Sequence, residues 1–405
     1  MMYIFKVPAV RWLVPSCLLA NIGAGMVLLT MTWSVVNIHN SVTAVAGLMF
    51  CFWLPAVIFS PIIGSVVDTY RRKSIVILTK IMRIIILFFA AWIYYQKPHI
   101  IVLYVLAAGM GTCAALYTPA CMAMVRETIS SDNDLLLANI AVDMAFEVGF
   151  IIGMPLSGFI MVYFSPSITL ILTAICFFFS LLCTLQIKPT CLRHSTARKL
   201  TGGFWQDSVN GLRYLVKNQP ALLLYGIQLL IYVILMTTSI LLAPFAKQVL
   251  MASSSEFGAI EATLSLGSVT GALLFPKLVA RLGDGRSILL ATLAMMMGFI
   301  FFALCFEVRQ AMVLYFIIGM CLAAWPVVTT SAQHLTEQAF QGRIQTMVNA
   351  LSGVVILLVY FAVGSTSAMV TIRWSYLSVI FVCASASLLT LYSFFIKGLV
   401  EPRYS

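Results

Sequence analysis

The sequence predicts an all-α membrane protein with twelve transmembrane helices in two pseudo-symmetric lobes of six. Three observations carry this prediction. The 405 residues are 62% hydrophobic and only 9% charged, whereas about a quarter of the residues in a soluble domain are charged. Polar corners divide the chain into twelve apolar runs, and short segments from the first six runs recur among the last six.

Each run has about twenty residues or more, enough for a helix to cross a hydrocarbon core of about 30 Å. Apolar residues follow one another without the alternation of barrel strands, which favours helices. The first run is too long for the apolar region of a signal peptide, so we expect it to remain as the first helix. The expected spans are 12–36, 42–67, 74–95, 99–124, 135–162, 166–187, 220–243, 255–279, 287–306, 310–333, 344–368 and 373–396.

The longest polar segment separates the sixth run from the seventh. We therefore predict an N-terminal lobe over 1–187, an inter-lobe linker over 188–219 and a C-terminal lobe over 220–405. Within the linker, apolar residues near one helical face lie opposite bases, which predicts a short surface helix. These apolar residues are Trp205, Val209, Leu212 and Leu215.

Two internal matches indicate that the lobes are copies of one unit. The segment from Arg72 to Leu78, after the second run, resembles Gly285 to Leu290, after the eighth run. Ala138-Asn139, near the start of the fifth run, resembles Val348-Asn349, near the start of the eleventh. The two offsets, 213 and 210 positions, are nearly equal, as a duplicated six-helix unit requires.

The formal net charge of +11 has a topological explanation. Of the 24 Lys and Arg residues, 20 fall on one side of the predicted spans, called the basic side below, and only Lys97, Lys247, Arg309 and Arg373 fall on the other. Cytoplasmic loops carry such an excess of bases. We therefore expect a bacterial inner-membrane protein with both termini cytoplasmic, and we expect no nucleic-acid partner.

No catalytic, nucleotide-binding or metal-binding motif is found in the sequence. The ten cysteines form no Cys-x-x-Cys pair and fall mostly inside apolar runs, where they serve as packing residues. We expect no cofactor, no metal and no enzymatic activity. Any uphill transport would have to use an ion gradient.

The fifth run carries two acids inside apolar sequence. Asn139, Asp143 and Glu147 follow at steps of four and share an arc of about 80° on a helix. Glu147 should lie about 18 Å in from the basic side, where an ionised carboxylate is costly, so it is a candidate for proton exchange together with Asp143. Alternatively, the acids pair with Lys80, Arg83 or Arg126 and lock the lobe.

Beyond these acids the same run contains a ridge of small residues. Gly149, Gly153 and Ser157 are suited to close packing against another helix, and Pro155 should bend the span.

The corner between the second and third runs resembles a signature loop of the major facilitator superfamily. That loop has the pattern Gly-x-x-x-Asp-Arg-x-Gly-Arg-Arg/Lys. Gly64, Asp68, Arg72 and Lys73 match the pattern. Thr69 replaces the family's Arg, and Arg71 replaces its Gly, so the turn has to close without that glycine.

The resemblance implies the major facilitator fold and a gating role for the motif residues Gly64, Asp68, Arg71, Arg72 and Lys73. It also implies that Asp68 is held by Arg126 and by the start of the eleventh helix near 342–343, where a helix N-terminus stabilises a carboxylate by about 0.3–1 kcal/mol. The alternative is a purely topological anchor.

Other segments are similar to the drug and siderophore exporter branch of that superfamily, which includes macrolide efflux and enterobactin exporter proteins. The glycines around Pro155 resemble the fifth-span motif of its antiporters and favour export. The remaining similarities lie at 21–23, 117–120, 134–139 and 241–247. The stretch 117–139 is also similar to lysophospholipid transporters.

Polar and aromatic side chains deep in the runs are candidates for a substrate cavity. Each of them can instead pack between helices or belong to an aromatic belt. The candidates are Asn21, Trp33, Tyr117, Asn139, Gln228, Tyr232, Trp325 and Asn349.

Together these features predict a monomeric secondary transporter, surrounded by membrane lipids, that uses alternating access. We expect it to couple proton movement to the export of an amphipathic small molecule such as a drug or a siderophore. The alternatives are an importer of a siderophore or other solute, a lysophospholipid transporter of the same fold, and a non-transporting membrane sensor or scaffold.

Overall fold

The computed structural model describes residues 8–128, 132–187, 213, 215, 217–366 and 372–396. In these ranges the chain is helical apart from short connections. The helices are α1 Pro8–His39, α2 Val42–Thr69, α3 Arg72–Gln96, α4 Ile100–Thr128, α5 Asp132–Tyr163, α6 Pro166–Gln186, α7 Gln219–Gln248, α8 Ser254–Leu282, α9 Asp284–Leu304, α10 Val308–Cys321, α11 Ala324–His334, α12 Gln338–Thr366 and α13 Ile372–Leu391, followed by a π-helical turn over Tyr392–Ile396.

The all-helical prediction is confirmed, and every predicted span corresponds to a helix. The tenth span, Val308–His334, consists of α10 and α11. Most boundaries agree within a few residues, and α12 begins six residues before the predicted span at 344. Eleven stretches in the described residues are long and apolar enough to cross a membrane, and α12 adds the shorter apolar stretch Ala350–Thr366. The predicted linker helix lies almost entirely outside the described residues.

Local chemistry sets several helix starts. Ser165 Oγ accepts from Ile168 N at 3.4 Å, and Asn218 Oδ1 accepts from Ala221 N at 3.4 Å. Both helices have Pro in their first two positions, where its missing N–H costs nothing. Side-chain acceptors and proline therefore begin α6 and α7 where their apolar runs begin.

The corner before α3 closes without the family's glycine. Arg71 is the N-cap residue and has φ −62° and ψ 121°, a conformation open to any residue. Its carbonyl accepts from Ser74 N at 2.9 Å and from Ile75 N at 3.2 Å. The substitution of Arg for Gly therefore causes no backbone strain at this position.

The chain forms two compact units. The first consists of the described residues within Met1–Asn40, Gly47–Lys199 and Ala252–Ala262. In it, α1 packs against α5 and α6, and α3 packs against α6 and α4. The start of α8 belongs to this unit.

The second unit consists of the described residues within Ser41–Ala46, Leu200–Met251 and Thr263–Ser405. In it, α7 packs against α12 and α13, and α9 packs against α13 and α10. These are the pairings of the first unit with each helix replaced by its counterpart in the second half. The helix pairing therefore agrees with the duplication that the two sequence matches predict.

Candidate functional site

The acid face of α5 forms as the sequence predicts. Asp143 and Glu147 are exposed and Asn139 is half-buried, all on one side of the helix. Among the described residues, no hydrogen bond or ion pair engages either carboxylate. Both acids are thus available to a proton or a ligand.

Lys80, one of the bases suggested as partners of these acids, is engaged elsewhere. Lys80 Nζ is fully buried and donates to Ser16 Oγ at 2.6 Å, to Thr184 Oγ1 at 2.6 Å and to Ser180 O at 3.3 Å. The lysine therefore joins α3 to α1 and α6 through neutral oxygens.

Arg83 and Arg126 also make no ion pair with the acids in the described part of the chain. The buried guanidinium of Arg83 lies 4.8 Å from the ring centre of Tyr117 and 5.1 Å from that of Phe177, within cation–π range. Arg126 is exposed at the end of α4. The described residues thus give no support to the locked-lobe interpretation.

Within the first unit, the start of α8 packs against the end of α5. Ser254 Oγ donates to Gly158 O at 3.0 Å. Four residues further along α8, a Cβ on Gly258 would lie 3.0 Å from the carbonyl oxygen of Met154, four residues earlier on α5. The two segments therefore run antiparallel and approach closely. This contact, between 154–158 of α5 and 254–258 of α8, is called the seam below.

A third acid, Glu261, lies on the seam face of α8. It follows Gly258 by three residues and is half-buried, and the register of the seam places it level with Ile151. Glu147 shares a helix face with Ile151 and Met154 and lies about 6 Å further along α5. In the described residues Glu261 makes no hydrogen bond or ion pair.

Sequence reasoning missed Glu261, although the rule that singled out Glu147 applies to it as well. It is an acid inside an apolar run, and such residues are functional candidates by default. Residues 252–262 belong to the first unit, so Glu261 lies in the same unit as Asp143 and Glu147.

The cavity candidates of the first half lie in packed environments within the first unit. Asn21 is 8% exposed and its Nδ2 donates to Cys17 O at 2.9 Å. Trp33 stacks on Phe257 with ring centres 5.2 Å apart, and Tyr117 lies under the Arg83 guanidinium. Each of the three thus makes a packing contact within the first unit.

In the second unit, three candidates come together. Gln228 is 3% exposed, and its Oε1 accepts no hydrogen bond in the described part of the chain. One turn further along α7, the ring of Tyr232 lies 5.4 Å from that of Trp325 on α11. The side chain of Asn349 lies outside the described residues. A buried carbonyl beside two aromatic rings suits a ligand with a hydrogen-bond donor and an apolar body.

The bases of the motif loop tie α3 to its neighbours. Arg72 Nη1 lies 2.9 Å from Glu127 Oε1 at the end of α4. Lys73 Nζ donates to Leu185 O at 2.9 Å and to Ile187 O at 2.7 Å, and so caps the end of α6. Arg71 is exposed. The surroundings of Gly64 and the side chains of Asp68 and 338–343 lie outside the described residues.

The corresponding corner of the second half has an acid that the sequence analysis did not use. Asp284, in the first turn of α9, is 2% exposed, and Ser331 of α11 donates to its Oδ2 at 2.7 Å. A buried carboxylate at a helix start, with a hydroxyl partner on another helix, fixes the position of α9 relative to α11.

Comparison with known proteins decides the family. A family model described as Major Facilitator Superfamily matches residues 13–249, more than half of the chain. The chain belongs to the major facilitator superfamily. It shares 25% identity with multidrug resistance protein 2 of Bacillus subtilis (strain 168) over 291 residues, which are 68% of this chain and 68% of that protein.

Solved structures of other membrane transporters have the same fold. A mutant of a nucleoside transporter matches with a TM-score of 0.78 and 15% identity, covering 95% of this chain and 100% of that one. A bacterial homologue of the iron transporter ferroportin in an inward-facing state matches with a TM-score of 0.72 and 15% identity, covering 96% and 98%. The superfamily and these neighbours are membrane transporters, so the chain is not an enzyme.

Proposed function

We propose that this superfamily member exports an amphipathic small molecule by alternating access, driven by protons that re-enter through the same protein. One observation carries the proposal. Glu147 on α5 and Glu261 on α8 lie on the facing sides of one seam, about one helical turn apart along its axis, without a basic partner in the described residues.

The coupling follows from the cost of charge in the membrane. An ionised carboxylate is tolerated where its side chain reaches water and is costly where it does not. A conformational change that moves Glu147 between water on one side and water on the other therefore carries a proton with it. The half-buried Glu261, which has no basic partner in the described residues, is proposed to be a second protonatable group of the same pathway.

Orientation and direction are part of the proposal. The excess of bases on one side supports a bacterial inner-membrane location with both termini cytoplasmic. The relative whose name is multidrug resistance protein 2 supports drug export. The glycines around Pro155 support the same direction, because they resemble the fifth-span motif of superfamily antiporters.

The substrate class is proposed from the second unit. The unpaired Oε1 of Gln228 can accept from a donor on the substrate, and the rings of Tyr232 and Trp325 can cover an apolar part of it. An amphipathic molecule of drug or siderophore type meets both requirements.

The motif loop is proposed to act as a gate. Arg72 and Lys73 fix the start of α3 to α4 and α6, so that the preceding corner with Asp68 moves with the first unit. We propose that a contact between Asp68 and the start of α12 forms in one arrangement of the units and stabilises it. In the other arrangement this contact is broken. On this view Asp68→Asn slows transport without lowering the melting temperature.

Transport by inside-out membrane vesicles tests the proposal. Vesicles with an imposed proton gradient should accumulate a fluorescent amphipathic dye, and Glu147→Gln should abolish the gradient-dependent part. Glu261→Gln should weaken it, since the substitution removes the second protonatable carboxyl. Lys97→Gln is the matched control, because Lys97 is exposed in the connection after α3.

Three outcomes would contradict it. Gradient-dependent uptake in Glu147→Gln equal to that of the unaltered protein would remove the coupling role. Accumulation only in right-side-out vesicles would indicate an importer. Ligand binding without movement in either direction would indicate a sensor.

A further inference from the structure

A groove of about 350 Å³ opens on the second unit between α8 and the end of α10. Its walls are apolar, with Leu274, Phe275 and Leu278 on one side and Met320 on the other. Lys277 and Arg281 border the same groove. The groove is therefore a narrow hydrophobic groove with two cationic side chains at one end.

The groove has a defined floor. A Cβ on Gly271 would lie 2.9 Å from the Cα of Met320, so α8 and α10 are in backbone contact there. Helix α10 ends at Cys321, one residue beyond that contact, and α11 begins at Ala324. From Gly271 to Arg281 the groove follows α8 over about 15 Å.

The two cations lie on one face of α8. Lys277 and Arg281 are four residues apart in its last two turns, and both are exposed. Among the described residues neither one makes a hydrogen bond or an ion pair. They belong to the basic side of the protein, so two uncompensated cations lie at the proposed cytoplasmic boundary of the membrane.

We propose that this groove binds an anionic phospholipid of the cytoplasmic leaflet. The upper part of one acyl chain lies along Leu274 and Leu278, and the phosphate lies between Lys277 and Arg281. Charge complementarity and the apolar lining select this ligand together, since basic pockets between transmembrane helices on this side suit acidic lipid head groups. The site rests on the orientation proposed above but does not depend on proton coupling or on the direction of transport.

A second groove at the opposite end of the same unit provides a comparison. It lies between α9 and α10, has a volume of about 580 Å³ and is lined by Phe301, Leu304 and Val313 with the single base Arg309. It is larger and also apolar but has one cation instead of two, and that cation is on the side with few bases. Arg309 is therefore the matched control for Lys277 and Arg281.

Each base near a membrane surface should strengthen binding of an acidic lipid about five-fold, and two bases about thirty-fold. Delipidated full-length protein in a neutral detergent should bind phosphatidylglycerol in native mass spectrometry in preference to phosphatidylcholine. The double variant Lys277→Gln/Arg281→Gln should lose that preference about thirty-fold. Arg309→Gln should keep it.

Two further measurements separate the parts of the site. Leu274→Trp fills the groove at a residue that is 47% exposed, so the fold should tolerate the change, while lipid binding falls. Soluble glycerol phosphate at the same concentration should not compete, because it has no acyl chain. Equal loss in Arg309→Gln, an unchanged preference in the double variant, or full competition by glycerol phosphate would each overturn the proposal.

Discussion

Lys80 shows how a membrane-buried charge can be stabilised without an acid. Its ammonium has three protons and three oxygen acceptors, on Ser16, Thr184 and Ser180. The hydroxyls of Ser16 and Thr184 also lie 2.8 Å apart, so the lysine closes a network that joins three helices. Satisfied hydrogen bonds replace the counter-ion that such a charge normally requires.

We predict that Lys80→Met lowers the stability of the folded protein. The methionine fills a similar volume but leaves the Ser16 and Thr184 hydroxyls short of a partner, at a cost of about 1–3 kcal/mol. The melting temperature in detergent should fall measurably, whereas Lys97→Met, at an exposed position, should leave it unchanged. An unchanged melting temperature in Lys80→Met would show that the network contributes nothing to stability.

The residue scale is also where sequence reasoning was least complete. Asp143 and Glu147 were recognised because an acid in an apolar run is conspicuous, and Glu261 shows the same signal. The partners of Lys80 were not predictable, because Ser16 and Thr184 look like ordinary small residues of membrane helices. Their convergence depends on the rotation of three helices, which hydropathy does not determine.

At the level of elements, α1 and α5 pack closely against each other. A Cβ on Gly149 would lie 2.7 Å from the Cβ of Asn21, and a Cβ on Gly153 would contact the carbonyl of Ile22. Further along, Thr30 Oγ1 and Ser157 Oγ are 2.8 Å apart. The predicted role of these small residues of α5 in close helix packing is thus confirmed.

We predict that Gly153→Ala destabilises the protein by about 1–3 kcal/mol, because the added methyl group pushes α5 away from the backbone of α1. The melting temperature in detergent measures the effect. Gly226→Ala on α7 is the matched control, since its new Cβ would meet only the flexible end of Leu389, at 3.3 Å. That change should be neutral or slightly stabilising, because Ala favours a helix over Gly. Equal effects of the two substitutions would refute the packing argument.

Element boundaries were the most predictable feature of the chain. Apolar runs end where charged and turn-forming residues begin, and the membrane allows few alternatives to a helix between them. The break between α10 and α11 was missed, although Pro326 marks it. Proline has no N–H to donate to the carbonyl four residues earlier, that of Leu322, and its ring crowds that carbonyl.

At the level of the molecule, two global patterns agree. The recurrence of helix pairings in both units reflects the internal sequence matches. The described helices also have bases at alternate connections, as the predicted basic side requires. Arg71 lies before α3, Lys97 follows it, Arg281 ends α8 and Arg309 begins α10. A chain with an even number of spans and basic loops on one side has both termini on that side.

We therefore predict the orientation of every connection. A reporter protein that is active only outside the cytoplasm should be active when inserted at 97–99 or at 305–307, and inactive at Tyr70 or Gly283. Exposed connections of this kind tolerate insertion, so the rest of the chain should still assemble. A reporter that fluoresces only inside the cytoplasm should give the opposite pattern at the same four sites. Activity outside at Gly283 would invert the proposed orientation, and it would also move Lys277 and Arg281 away from the leaflet in which we place their lipid.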